Sequence, residues 1–199
     1  MNPWWLLASG AGLAILAVSV VWARGPAISR AEARAFHAVN GLPDWLFWAL
    51  WPPMQFGNLA VGTIAGLVVA VVARNLAVAV GVLLAMLMKL VTERVLRQQM
   101  APYLSVRQRP GTSEVGAVLR GDDVPSSGPS FPSGHVILVA SVACVVAGTI
   151  PVAWWWVLVL LTAAVMVGRV YVGAHNPLDV IAGLGAGLLS GGIVAAIFN

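Results

Sequence analysis

Residues 152–198 read VAWWWVLVLLTAAVMVGRVYVGAHNPLDVIAGLGAGLLSGGIVAAIF: two apolar runs divided by a short turn that carries Arg169, His175 and Asp179. Each run approaches the roughly 20 residues that a helix needs to cross a bilayer core. Neither alternates apolar and polar residues as a barrel strand does, and an open sheet cannot satisfy its backbone in lipid. Both runs are therefore predicted as membrane-crossing helices. A cation, an imidazole and a carboxylate at their junction are costly unless they snorkel or have a task.

The rest of the chain extends this reading. Sixty per cent of the 199 residues are hydrophobic and nine per cent charged, with a mean hydropathy of +0.91. The predicted fold is an all-α, polytopic helical bundle of about six transmembrane helices, forming one domain over residues 1–199. Spans are expected at about Trp4–Ala23, at Trp45–Ala73 with a kink or interfacial turn at Pro52-Pro53, and from Leu76 into Lys89 with an amphipathic extension through Arg97. The fourth starts near His135, the fifth runs from about Val152 to Val172, and the sixth follows Pro177. Ser29 and Glu32 have the spacing of a capping box, which predicts a short surface helix over residues 29–40. An N-terminal leader is not expected, because the first run lacks a basic start and a good cleavage site.

The single cysteine, Cys144, excludes an internal disulfide and a cysteine-based metal site. The net charge of +4 is spread along loops and helix ends without a nucleic-acid-binding pattern. An anionic lipid or phosphorylated substrate fits better, with no nucleic acid as partner. Gly183, Gly187 and Gly191 put small residues on one helix face for close packing, and Trp154-Trp155-Trp156 reads as an interfacial belt.

Six spans place the polar residues on one face of the membrane: Lys89, the long polar loop 98–133, His135, Arg169, His175 and Asp179. Ser133-Gly134-His135 opens an apolar run, so the free amides and positive dipole end of a helix would favour an anion there; an ordinary N-cap is the plainer alternative. A carboxylate at Asp179 could accept a hydrogen bond from His175, fix its tautomer and leave the other nitrogen free to attack. Arg169 and Arg109 could fork phosphate oxygens, and Lys89, the only lysine, is either a phosphate ligand or a snorkelling anchor.

These residues resemble the signature of the type 2 phosphatidic acid phosphatase superfamily of membrane lipid phosphatases. Pro132-Ser133-Gly134-His135 matches its second part in full. Gly168-Arg169, with His175 after five residues and Asp179 after three more, matches the third, with Gly168 in place of serine. Arg109-Pro110 ends the first part, but Pro102 stands where the lysine belongs; Lys89 lies twenty residues before Arg109, and Arg94, Arg97 or Arg107 is the other candidate cation.

The resemblance implies metal-independent hydrolysis of a lipid phosphate or diphosphate, such as a polyprenyl diphosphate, phosphatidate, phosphatidylglycerophosphate or a phosphorylated sugar on a polyprenyl carrier. His175 would attack phosphorus to give a phosphohistidine, Asp179 would orient it, and His135 would protonate the leaving oxygen and then activate water. Arg109, Arg169, Lys89 and the amides near Ser133 and Gly134 would bind the phosphate; no cofactor or metal is expected. A lipid phosphotransferase and a non-catalytic membrane scaffold or lipid-binding protein are the alternatives. The expected location is a bacterial-type plasma membrane. The arginine distribution points the active face to the cytoplasm, whereas the resemblance implies the extracytoplasmic side, and oligomeric state is open.

Overall fold

The computed structural model describes residues 3–25, 27–103 and 107–198, so positions 104–106 of the polar loop lie outside the described residues. The architecture is all-helical: α1 (Trp4–Ala23), α2 (Arg30–Asn40), α3 (Leu46–Met54), α4 (Leu59–Val72), α5 (Leu76–Met100), the single turn α6 (Pro110–Ser113), α7 (Gly134–Ala147), α8 (Trp155–Tyr171) and α9 (Pro177–Phe198). Helices α1, α5 and α9, and α8 together with the 3-10 turn before it (Val152–Tyr171), are long and apolar enough to cross a membrane, and α3 with α4 forms a bent pair that passes the same test. With α7 these make six apolar segments, and the protein is an integral membrane protein.

The break in the second segment is not where the prolines predict it. Pro52 and Pro53 remain inside α3, and the chain turns 73° at residues 57–59. Asn58 causes the turn: it takes an extended backbone, and its side-chain oxygen accepts from the amides of Ala60 at 3.0 Å and Val61 at 3.4 Å. That cap starts a new helix in a new direction. Gly57, just before it, lies against the Cβ of His135, where a side chain would collide.

Helix α9 is the axis of the bundle, and its glycines serve two faces. Gly183, Gly187 and Gly191 pack on Ser133, Ile137, Ala140 and Ser141 of α7 and its cap, while Gly185 and Gly192 receive the backbone of α1 near Gly12 and Ser9. Backbones this close gain dispersion contacts along their whole length, the main source of helix association in lipid. Ser141 adds a hydroxyl bond to the carbonyl of Gly187 at 3.1 Å and meets Ser190 at 2.8 Å.

At 14 residues, α7 spans only about 21 Å, less than a bilayer core, and almost all of it is buried inside the bundle. The loop residues 130–133 that lead into its N-terminus are buried as well. Helix α2 seals the same end. Its Phe36 is fully buried among Val136, Val139, Val165, Val170 and Val180.

Only half of the expected capping box forms at α2: Ser29 Oγ accepts from the Glu32 amide at 3.1 Å. The Glu32 carboxylate turns inward instead. Trp155 of the aromatic triplet also faces in, donating to the carbonyls of Ala147 and Ile150, while Trp154 and Trp156 stack outside.

Candidate active site

His175 is delivered by the way α8 ends. Gly173 adopts φ of +77°, its amide bonds to Val170, and the amide of Ala174 bonds to the carbonyl of Arg169 at 3.0 Å. This is a Schellman turn, which needs a left-handed residue at the position glycine fills. The chain then turns back over Arg169, and the amide of His175 also bonds to the Arg169 carbonyl at 3.3 Å. Asn176 precedes α9, Pro177 occupies its first position without wasting a donor, and Asp179 Oδ2 reaches back to the Asn176 amide at 2.9 Å.

The His175 ring is held differently from the expectation. Its Nδ1 lies 2.9 Å from the carbonyl oxygen of Ser130, whereas the nearest Asp179 oxygen is 4.0 Å away. A carbonyl can only accept, so Nδ1 carries the proton and Nε2 keeps its lone pair. Asp179 is engaged elsewhere: Oδ1 accepts from Arg107 Nε at 3.1 Å and Nη2 at 2.9 Å. The expected imidazole–carboxylate hydrogen bond is thus replaced by a backbone acceptor from the polar loop.

Arg107 is the centre of a buried network. Besides Asp179 it grips both oxygens of Glu32, at 2.6 and 3.2 Å, and Glu32 Oε1 accepts from the Leu178 amide at 3.0 Å. Burial works against its charge, but the carboxylates of Asp179 and Glu32 outweigh it and raise the guanidinium above its ordinary value. Among the cations weighed for the first motif, Arg107 is therefore a structural partner of two acids. Arg109 lies half-buried beside it, its Nη1 donating to the Ala174 carbonyl at 2.8 Å. Burial first, and then the charge of Arg97, lower its affinity for a proton, against the opposing pull of Asp179 and Glu93.

His135, in the first turn of α7, and Arg169, in the last turn of α8, line one cavity with Gln55, Asn58, Arg120 and Asp123, walled by Phe47 and Trp51. Arg169 is buried with its Nε unpartnered among the described residues, as is Ser133 Oγ. The Ser133 amide bonds to the Asp179 carbonyl at 3.0 Å, tying the cap of α7 to the first turn of α9. Gly168, where the signature has serine, has a direct explanation: the Met54 side chain occupies the space a Cβ would need. Lys89 is paired with Glu93 at 2.7 Å.

His175 is almost fully buried. Burial first, then the charges of Arg169 and Arg109 and the ring of His135, push its pKa well below 6.5, with only the Ser130 carbonyl acting the other way. The imidazole is thus neutral at pH 7, as a nucleophile must be. Below about pH 6.5 an unfolded chain binds a proton here that the folded chain refuses, so this stabilising contribution, complete above that pH, is drawn down as pH falls. In ¹³C NMR of histidine-labelled protein, the resonance absent from His175→Gln is expected to stay that of neutral imidazole at pH 6. A titration midpoint near 6.5 would contradict this environment.

Sequence reasoning missed Glu32, Arg107 as the partner of Asp179, Ser130, Asp123 and Arg120. Arg120 lies over the Tyr171 ring at 4.3 Å and donates to the carbonyls of Asn40, Tyr171 and Leu42 and to Asp44, pinning the polar loop to α2 and α8. The sparseness of acids, seven in the chain, was the available signal for Glu32, since an acid in so apolar a sequence is kept for a partner.

Comparison with known proteins places the chain in a family. Over a 55-residue stretch the chain is 49% identical to an undecaprenyl-diphosphatase of Sulfolobus acidocaldarius, a match that spans 27% of this chain and only 26% of that protein. The fold is similar to that of a transmembrane PAP2-type phosphatidylglycerolphosphate phosphatase from Bacillus subtilis (TM-score 0.72, 21% identity, 94% of this chain and 96% of the other). It is also similar to LpxE of Aquifex aeolicus (TM-score 0.65, 22% identity, 81% and 92%). The family model described as the PAP2 superfamily matches residues 64–199, which include α7, α8, α9 and the site they build, and the chain belongs to that superfamily.

Proposed function

We propose that this protein hydrolyses a lipid phosphate or diphosphate through a phosphohistidine on His175. The observation that carries the reading is a buried, neutral imidazole with Nδ1 held by a backbone carbonyl. Its other nitrogen is left for attack, with Arg109, Arg169 and His135 near enough to act on it electrostatically. Nε2 of His175 attacks phosphorus and the bond to the leaving oxygen breaks; His135, protonated once the negative charge of the bound phosphate offsets the surrounding cations Arg169, Lys89 and Arg109, gives that oxygen a proton. His135, now neutral, takes a proton from water, whose oxygen attacks the phosphohistidine and releases phosphate and free His175.

Arg109, Arg169, Lys89 and the first amides of α7 supply positive charge to the three equatorial oxygens during both steps. Asp179 acts through Arg107 and through the cap of α9, holding the turn on which His175 sits. The substrate is amphiphilic on this reading, because the site lies at helix ends inside a membrane bundle. The relatives whose names include undecaprenyl-diphosphatase and phosphatidylglycerolphosphate phosphatase support a polyprenyl diphosphate or a phosphatidylglycerophosphate as the first candidates. A plasma membrane of the bacterial type is the proposed location.

The test is phosphate release by purified protein in detergent from polyprenyl diphosphate, phosphatidate and phosphatidylglycerophosphate, with chelator present. Release from at least one, undiminished by the chelator, is the expected result. A phosphorylated acceptor in place of free phosphate would favour a transferase, and tight lipid binding without turnover a non-catalytic role.

A further inference from the structure

Lys89, Glu93 and Arg97 follow one another at four-residue steps along α5, so they share a face with the acid in the middle. Glu93 Oε2 is 2.7 Å from Lys89 Nζ, and Oε1 is 2.6 Å from Arg97 Nη2. The carboxylate also presses on the first residue of α7: a Cβ on Gly134 would lie 2.5 Å from Oε2 and 3.0 Å from Oε1. Beside it is Ser133, whose buried Oγ has no partner among the described residues. Two cations and a helix N-terminus around one acid form the setting in which proteins bind anions. Here the anion is the protein's own.

The cations so occupied belong to the edge of the reaction site. Arg97 is near enough for its charge to act on Arg109, and Lys89 lies within electrostatic reach of His135. We infer that Glu93 competes with the substrate's phosphate for Lys89 and Arg97, and thereby sets the affinity of the site for phosphate. The inference rests on the phosphate reading given above. An arriving phosphate takes over the two cations, and the carboxylate swings aside on its flexible side chain. This brings Lys89 into phosphate binding although it stands twenty residues before Arg109. It also keeps the product from binding too well, since Glu93 reclaims both cations as phosphate leaves.

A carboxylate that merely aimed the two cations would have the opposite effect when removed, so the sign of the change decides. The measurement is calorimetric binding of inorganic phosphate to wild type, Glu93→Gln and Glu93→Ala in detergent, with monodispersity checked by size exclusion. Both variants are expected to bind phosphate roughly five- to tenfold more tightly, the size of one carboxylate's effect on a partly solvated cation pair. Unchanged or weaker binding overturns the inference. Lipid phosphate turnover is read in parallel on wild type. Tighter binding in the variants without any wild-type turnover keeps the competing carboxylate and removes the hydrolase reading, whereas normal turnover with unchanged binding removes only the carboxylate's role.

Discussion

Arg107→Ala is expected to cost about 3–5 kcal/mol of stability and nearly all turnover, although Arg107 does not touch the phosphate in the proposed mechanism. The side chain holds Asp179 and Glu32 in a buried cluster, both within 3.2 Å of its guanidinium. Truncation leaves two carboxylates facing each other without a counter-charge. One must take up a proton or the cluster must open, and either outcome loosens the first turn of α9, where Glu32 accepts from Leu178 and Asp179 from Asn176. His175 is two residues before that helix begins.

Arg107→Lys retains the charge but not the planar fork that serves two acids at once, so it is expected to recover part of the stability and less of the turnover. Urea or thermal unfolding in detergent, with kcat/KM on the preferred lipid, checks both. A stable, active Arg107→Ala would show that the network does not position the site. Glu32→Gln is a gentler probe of the same cluster, and its loss should appear in kcat more than in KM, because Glu32 meets no substrate.

His175→Ala is expected to lower turnover by roughly 10⁴-fold or more, as removal of a nucleophile does in covalent catalysis, while leaving phosphate binding in place through Arg109 and Arg169. Its burial decides the size of the effect. No other imidazole lies on that turn, and a water admitted to the gap would be a far weaker nucleophile than a neutral histidine with its proton fixed on Nδ1. His135→Ala should lose less, about 10²–10⁴-fold, the usual contribution of one acid–base group. A substrate with a better leaving group should narrow the His135 deficit and leave the His175 deficit unchanged. Similar losses for the two variants on such a substrate would contradict their separate roles.

The helices were legible because lipid imposes a long, uniform constraint: a stretch of apolar residues about 20 long has few other fates. The motif spacing was legible for a similar reason, since Gly168 to Asp179 is one local turn with a fixed geometry. What could not be read is which distant group answers each polar residue. Glu32 has the spacing to cap its own helix, and nothing local says that it will instead bind Arg107, 75 residues away.

Asp179 is four residues from His175, so a direct hydrogen bond was the natural expectation; the ring turns to Ser130 because Arg107 already holds the carboxylate. Asn58 overrode the prolines in bending the second segment for a comparable reason. A satisfied N-cap begins a helix where it stands, whereas Pro52 and Pro53 only remove the amides that would have bonded to the carbonyls of Trp48 and Ala49, and α3 continues through them to Met54. Gly168 looked like a defect in the signature, and only the neighbouring Met54 explains it.

The central claim is that phosphorus becomes bonded to His175. The direct measurement is rapid-quench trapping with a ³²P-labelled lipid phosphate, followed by peptide mapping of the labelled protein. The expected result is an acid-labile, alkali-stable phosphoryl group on the peptide containing His175, formed within the first turnover and absent from His175→Ala. Phosphate released at the full rate with no labelled enzyme at any time, or a label on a different residue, would contradict the account.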